Sequence, residues 1–139
     1  MDIPVGSSPE DIKIRKHFIG DFYASWISKH PKKRIWNRSL NDFIYVKNQS
    51  INETKGHASG TYESTVAVLN LTEILKNALV KEVKTRKQKD KNQKAFSKIV
   101  IMKHKNVKLT VGFQKSKGEY VQYCITVPGA RMHKKEQAK

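Results

Sequence analysis

The chain has 139 residues, which at roughly 100–200 residues per domain allows one compact domain. Lys and Arg number 28 against 12 Asp and Glu, a formal net charge of +16, and the single Cys124 excludes an internal disulfide framework and a Cys-based zinc cluster. The longest apolar runs, such as Val66 to Leu69 and Ile99 to Met102, are four residues, too short for a transmembrane helix, and the acidic start at Asp2 lacks the basic and apolar regions of a signal peptide. A cytoplasmic or virion-associated protein is expected.

Residues 1–8 read as a flexible arm and residues 9–128 as a single α+β domain. Ser8, Pro9, Glu10 and Asp11 form a helix start: a hydroxyl N-cap, proline in the first turn, and carboxylates facing the positive end of the dipole. Ile12, Phe18, Ile19, Phe22, Tyr23, Trp26 and Ile27 then make an apolar stripe, and His30 before Pro31 stops the helix near Lys29. Residues 34–47 read as extended, with Trp36 and Tyr45 expected in the core or, where exposed, able to stack on bases. Residues 48–60 read as a polar loop. The apolar pattern from Thr61 to Val80 predicts one long central helix, the main packing element.

Residues 81–94 lack an apolar face and read as a basic loop. Phe96 to Met102, then Val107, Leu109, Val111 and Phe113, then Val121, Tyr123, Ile125 and Val127 predict three strands with short polar connections, hence an antiparallel meander. The expected sheet has about four antiparallel strands, one face against helices and one facing water. Residues 129–139 read as a basic flexible tail.

The charge points to a polyanion, RNA or DNA, because so large a positive surplus repels itself and each neutralised phosphate releases counterions. The cations expected to grip it are Lys32, Lys33, Arg34 and Arg38 in one cluster and Lys81, Lys84, Arg86, Lys87, Lys89, Lys91 and Lys94 in another. No basic stretch is also amphipathic with bulky apolar residues, so no membrane partner is expected. The scattered histidines predict no metal site, and no cofactor motif is present. Two weaker constellations allow chemistry. Lys108, Thr110, Tyr120, Gln122 and Thr126 lie on the expected solvent face of the meander, where cations and hydroxyls can hold a phosphodiester. His57, near Ser59, Thr61, Ser64 and Thr65 at the expected helix start, can serve as an acid or base, with Glu53 as a partner if the fold brings them together. The alternative to both is an ordinary hydrated surface with helix-capping hydroxyls.

The runs His57-Ala58-Ser59, Thr61-Tyr62-Glu63-Ser64-Thr65 and Leu71-Thr72-Glu73-Ile74-Leu75-Lys76-Asn77-Ala78, followed by Val107-Lys108-Leu109-Thr110-Val111 and Tyr120-Val121-Gln122-Tyr123-Cys124-Ile125, resemble domains of large polyvalent proteins of phages and conjugative elements. The resemblance spans residues 43–127. It implies kinship to the barnase, EndoU, colicin and RelE-like nuclease fold, and on that fold His57, Lys108, Thr110 and Thr126 stand at the catalytic positions. The last strand has no Arg or His, which favours a binding module over an enzyme. Three functions are therefore expected in order: a nucleic-acid-binding domain of phage or mobile-element type, a metal-independent ribonuclease or toxin, and an inhibitor or virion-associated module that binds an acidic protein.

Overall fold

The computed structural model describes residues 2–85 and 96–129. The chain is α+β. Its elements are α1 (Pro9–Lys29), β1 (Arg34–Asn37), β2 (Asp42–Tyr45), α2 (Asn48–Ala58), α3 (Tyr62–Val68), α4 (Leu71–Asn77), β3 (Leu79–Lys84), β4 (Lys98–His104), β5 (Val107–Gln114) and β6 (Glu119–Thr126). The strands form one six-stranded sheet in the order β1-β2-β6-β5-β4-β3. All neighbouring pairs are antiparallel except β2 with β6, which run parallel.

α1 forms as its sequence dictates. The Ser8 hydroxyl accepts the Asp11 N–H at 3.1 Å, and the His30 N–H closes the other end on the Trp26 carbonyl at 2.9 Å. Ile19, Tyr23 and Trp26 are buried on its inner face. Arg15 is buried on the same face, where Nε donates to the Ser59 carbonyl and Nη1 to the Pro4 carbonyl, each at 2.8 Å. A guanidinium thus ties the first residues and the α2–α3 connection to α1. Burial pulls its pKa down, opposed by the charges of Asp11 and Glu63.

Several expectations need correction. The polar loop over residues 48–60 is largely α2. Its buried stripe is Ser50, Thr54 and Ala58, small residues four apart that carry almost no hydrophobic signal. Their polar atoms are satisfied: Ser50 accepts the Lys47 N–H at 2.9 Å, while Thr54 takes a hydrogen bond from Gln122 at 2.7 Å and one from the Tyr23 hydroxyl at 3.3 Å.

The long central helix is instead two short ones, α3 and α4, followed by edge strand β3. Asn70 begins α4, its side-chain amide donating to Glu73 at 2.8 Å. α4 ends because Asn37 reaches across from β1 and donates to the Leu75 and Ala78 carbonyls at 2.8 and 2.9 Å, while Ala78 is already extended. The first part of the expected basic loop, Lys81 and Lys84 included, lies in β3.

The sheet has six strands rather than about four, and it is mixed rather than purely antiparallel. The meander itself, β4 to β6, is as expected. One break in it matters. Thr110 pairs with Cys124 but Val111 pairs with Gln122, so Tyr123 is an extra residue that bulges. The alternation along β6 is reset there: Ile125 enters the main core, whereas Val121 and Tyr123 join a second cluster with Phe96 and Ile99. The main core joins Val100, Met102, Leu109, Val111 and Ile125 to the inner faces of α1, α3 and α4. Among the described residues, no helix is long and apolar enough to cross a membrane.

Candidate functional site

The sheet has two unlike faces. Helical side chains supply nearly half of the main core on one face, but none of the buried residues of the Phe96 cluster on the other. Strand alternation decides what this second, open face presents. In β1, Ile35 and Asn37 turn toward the core, so Arg34 and Trp36 turn outward; in β2, Ile44 turns in, so Phe43 and Tyr45 turn out. The register then places Trp36 opposite Phe43 and Arg34 opposite Tyr45.

The four side chains make one platform. Trp36 meets Phe43 edge-on with ring centroids 5.2 Å apart, and the Arg34 guanidinium lies 4.0 Å above the Phe43 ring. Arg34 Nη1 also donates to the Tyr45 hydroxyl at 3.1 Å. These contacts hold each group in place without hiding it, for Trp36 is still 47% exposed. The expectation that packed Trp36 into the core is corrected by its place on the edge strand β1, where it stays exposed.

The pairing carries this face across the sheet. Tyr45 stands beside Val121, then Gly112, Ile99 and Lys84. A second row runs Cys124, Thr110, Ile101 and Glu82, and a third Thr126, Lys108, Lys103 and Leu79. The centre is apolar, with Phe96 seated over Gly112, where a Cβ would run into its ring, and edge-on to Tyr123 at 6.1 Å. The open face is therefore an apolar centre between an aromatic–arginine platform and a lysine-bearing flank of Lys84, Lys103 and Lys108.

The predicted residues distribute unevenly over this surface. Lys108 and Thr126 are direct cross-strand partners, both partly exposed. Thr110 is buried, 6% exposed, and Gln122 is fully buried, its amide joined to Thr54 and its oxygen accepting from Tyr23 at 3.0 Å. Tyr120 packs against the main core. The solvated face expected for these three is corrected: the Tyr123 bulge turns Tyr120 and Gln122 to the helical face, while Thr110 keeps its place in the open-face row but is buried.

His57 is an exposed residue near the end of α2, with Nε2 3.4 Å from Glu53 Oε1 one turn earlier, so these two do meet. Its ring lies 6.4 Å from Tyr123 of the open-face cluster. Ser59 and Thr65 are buried, and the hydroxyls that surround His57 in sequence serve structure: Thr61 caps α3, Ser64 accepts the Val127 N–H at 2.9 Å, and Thr65 donates to the Ala58 and Thr61 carbonyls.

Of the cations, Arg34 and Lys84 reach the open face, while Lys32 and Lys33 are exposed in the turn after α1 and Arg38 in the β1–β2 turn. Lys81 is the extra residue of a β3 bulge. Arg86, Lys87, Lys89, Lys91 and Lys94 lie outside the described residues. Phe43 and Lys103 were missed by sequence reading; the signal that could have found them is the two-residue alternation of the β1–β2 hairpin and of β4. Among the described residues, no group of three or more His, Cys, Asp or Glu converges as a metal site would require.

A family model described as "Large polyvalent protein-associated domain 3" matches residues 15–121, from Arg15 in α1 to Val121 in β6. The match thus takes in most of α1 and the whole β1–β2 hairpin. No curated protein matches the chain. No solved structure matches it either, so the implied kinship to the nuclease fold has no structural relative behind it.

Proposed function

The chain belongs to the large polyvalent protein-associated domain 3 family, and from that premise we propose that it is a nucleic-acid-binding domain of a phage or mobile-element polyvalent protein. The observation that carries this reading is the open face: Trp36, Phe43, Arg34 and Tyr45 linked in one run of contacts, in the same sheet surface as Lys84, Lys103 and Lys108. Aromatic rings that stack on bases contribute about 1–3 kcal/mol per base, and cations alongside track the phosphates. An apolar centre bordered by both suits a polymer whose bases and backbone alternate along its length.

The test is fluorescence anisotropy with labelled single-stranded RNA and DNA over a salt series. Phosphate contacts from Arg34, Lys84, Lys103 and Lys108, at about 0.7 each for a single strand, give a log–log salt slope of about −3. Binding that ignores salt, or none at low salt, overturns the reading.

A second reading is favoured by one observation. The His57–Glu53 pair lies beside Tyr123 of the open-face cluster, and such a pair can supply the acid and base of a metal-independent ribonuclease in which a 2′-hydroxyl attacks the adjacent phosphate. It predicts RNA cleavage in EDTA that His57→Ala abolishes; intact RNA after long incubation removes it.

A further inference from the structure

The sheet curls so that its two edge strands approach each other at one end. Asn37 at the end of β1 holds the carbonyls of Leu75 and Ala78, and the Ser39 hydroxyl in the β1–β2 turn accepts the Val80 N–H of β3 at 2.9 Å. Between these tethers the edges leave a cavity of about 650 Å³. Ile35 and Ala78 are among its apolar lining, while Trp36 (47% exposed) and Leu79 (56% exposed) present large apolar surface to solvent. Arg38, Lys76 and Asn77 line it as well.

Charge separates this cavity from two others among the described residues. The cavity along α1 includes Asp2, Glu10 and Asp21 among its lining residues, and the one near His104 includes Glu63. Among the described residues, no carboxylate lines the edge cavity, which carries Arg38 and Lys76. A site with a half-exposed indole, an apolar floor, two cations and a side-chain amide is complementary to a flat, polar-edged ring that carries a phosphate. Its volume falls within the roughly 300–1,000 Å³ of small-ligand pockets.

We propose that this edge cavity takes one unpaired nucleotide, its base against Trp36 and Leu79 and its phosphate toward Arg38 and Lys76. This rests on the nucleic-acid reading of the open face and sharpens it. Trp36 belongs to both the platform and the cavity, so a strand crossing the platform can turn its next base into the edge. A base held in a duplex cannot make that turn, and the substrate class becomes single-stranded nucleic acid.

The experiment follows the Trp36 indole N–H by NMR, assigned with Trp36→Phe, while uridine monophosphate, uridine, inorganic phosphate and a short acidic leucine-containing peptide are titrated in turn. The expected result is saturable shifts of Trp36 and of the Leu79 methyls with the monophosphate at millimolar concentration, weaker shifts with uridine, and none with phosphate alone. Lys76→Glu, at an exposed position, weakens the monophosphate about tenfold and lowers single-strand affinity to the same degree, while duplex affinity falls by less. Shifts produced by phosphate alone, or by the peptide and not the nucleotide, overturn the proposal, as does an equal loss of single-strand and duplex binding in Lys76→Glu. If oligonucleotides fail to bind while the monophosphate shift persists, the open-face reading falls and the cavity stands. If oligonucleotides bind with the expected salt slope and the monophosphate moves nothing, the cavity proposal falls alone.

Discussion

The two faces of the sheet are built from the same strands and do opposite things. On the helical face, Val100, Met102, Leu109, Val111 and Ile125 meet the helices, and the polar atoms admitted there, Tyr23, Thr54 and Gln122, satisfy one another. On the open face, a small cluster lies under Phe96 and is bordered by exposed aromatic and cationic side chains. Burial of large aliphatic surface stabilises the first face. The second leaves an indole and a guanidinium half in water, an arrangement that adds little to folding and suits recognition. The lesson is that stability and binding can be separated by residue parity along a strand.

That separation can be broken from either side. The largest effect is expected from Leu109→Ala on the helical face, where loss of a fully buried side chain lowers stability by about 2–5 kcal/mol. Urea unfolding reads this, and oligonucleotide affinity per folded molecule stays as it was.

Alkaline unfolding comes next. Tyr23 is fully buried and its pKa is raised by that burial from 10.0 to about 12, its hydrogen bonds to Thr54 and Gln122 opposing. The unfolded chain ionises this phenol first, so its contribution is intact below pH 10 and is lost between about pH 10 and 12, a total of about 3 kcal/mol. Denaturant unfolding across that range shows the loss, and Tyr23→Phe flattens it.

Gly112→Ala probes the boundary between the faces. The new methyl displaces Phe96, and overpacking of this kind destabilises by about 1–3 kcal/mol. A change in oligonucleotide affinity larger than the Leu109→Ala control would show that the Phe96 lid shapes the open face.

Trp36→Ala sharpens the comparison in the other direction. It removes about 1–3 kcal/mol of binding, tenfold or more in affinity, and leaves thermal unfolding nearly unchanged because the residue is half exposed. The smallest effect belongs to Glu73, whose carboxyl is held below its ordinary value by hydrogen bonds from His104 and Asn70 and by the charge of Lys105. A lowered acid contributes stability above its unfolded pKa and loses it as the pH falls through the folded one. Acid unfolding of Glu73→Gln should therefore be shallower below about pH 4.5 than that of the parent chain.

The sequence by itself determined the α+β class, the limits of α1 and the β4–β6 meander. In each case the deciding forces are local: Ser8 caps its own helix, proline follows the histidine that ends it, and two-residue alternation with short turns leaves adjacent strands one way to pair. Only the tertiary structure decided the rest. α2 buries Ser50, Thr54 and Ala58, residues whose place inside depends on hydrogen bonds from Tyr23 and Gln122 far along the chain. The helix expected over residues 61–80 is broken because its apolar pattern suits a helix and a strand alike, and Asn37, distant in sequence, captures the carbonyls where α4 stops. The site shows the same division. The pair His57 and Glu53 needed a helix that residue types did not reveal, and Trp36 is exposed because β1 became the sheet's edge. Local propensity selects each segment's conformation, but which residues share a face depends on strand order and on the bulges at Lys81 and Tyr123, and both are properties of the assembled sheet.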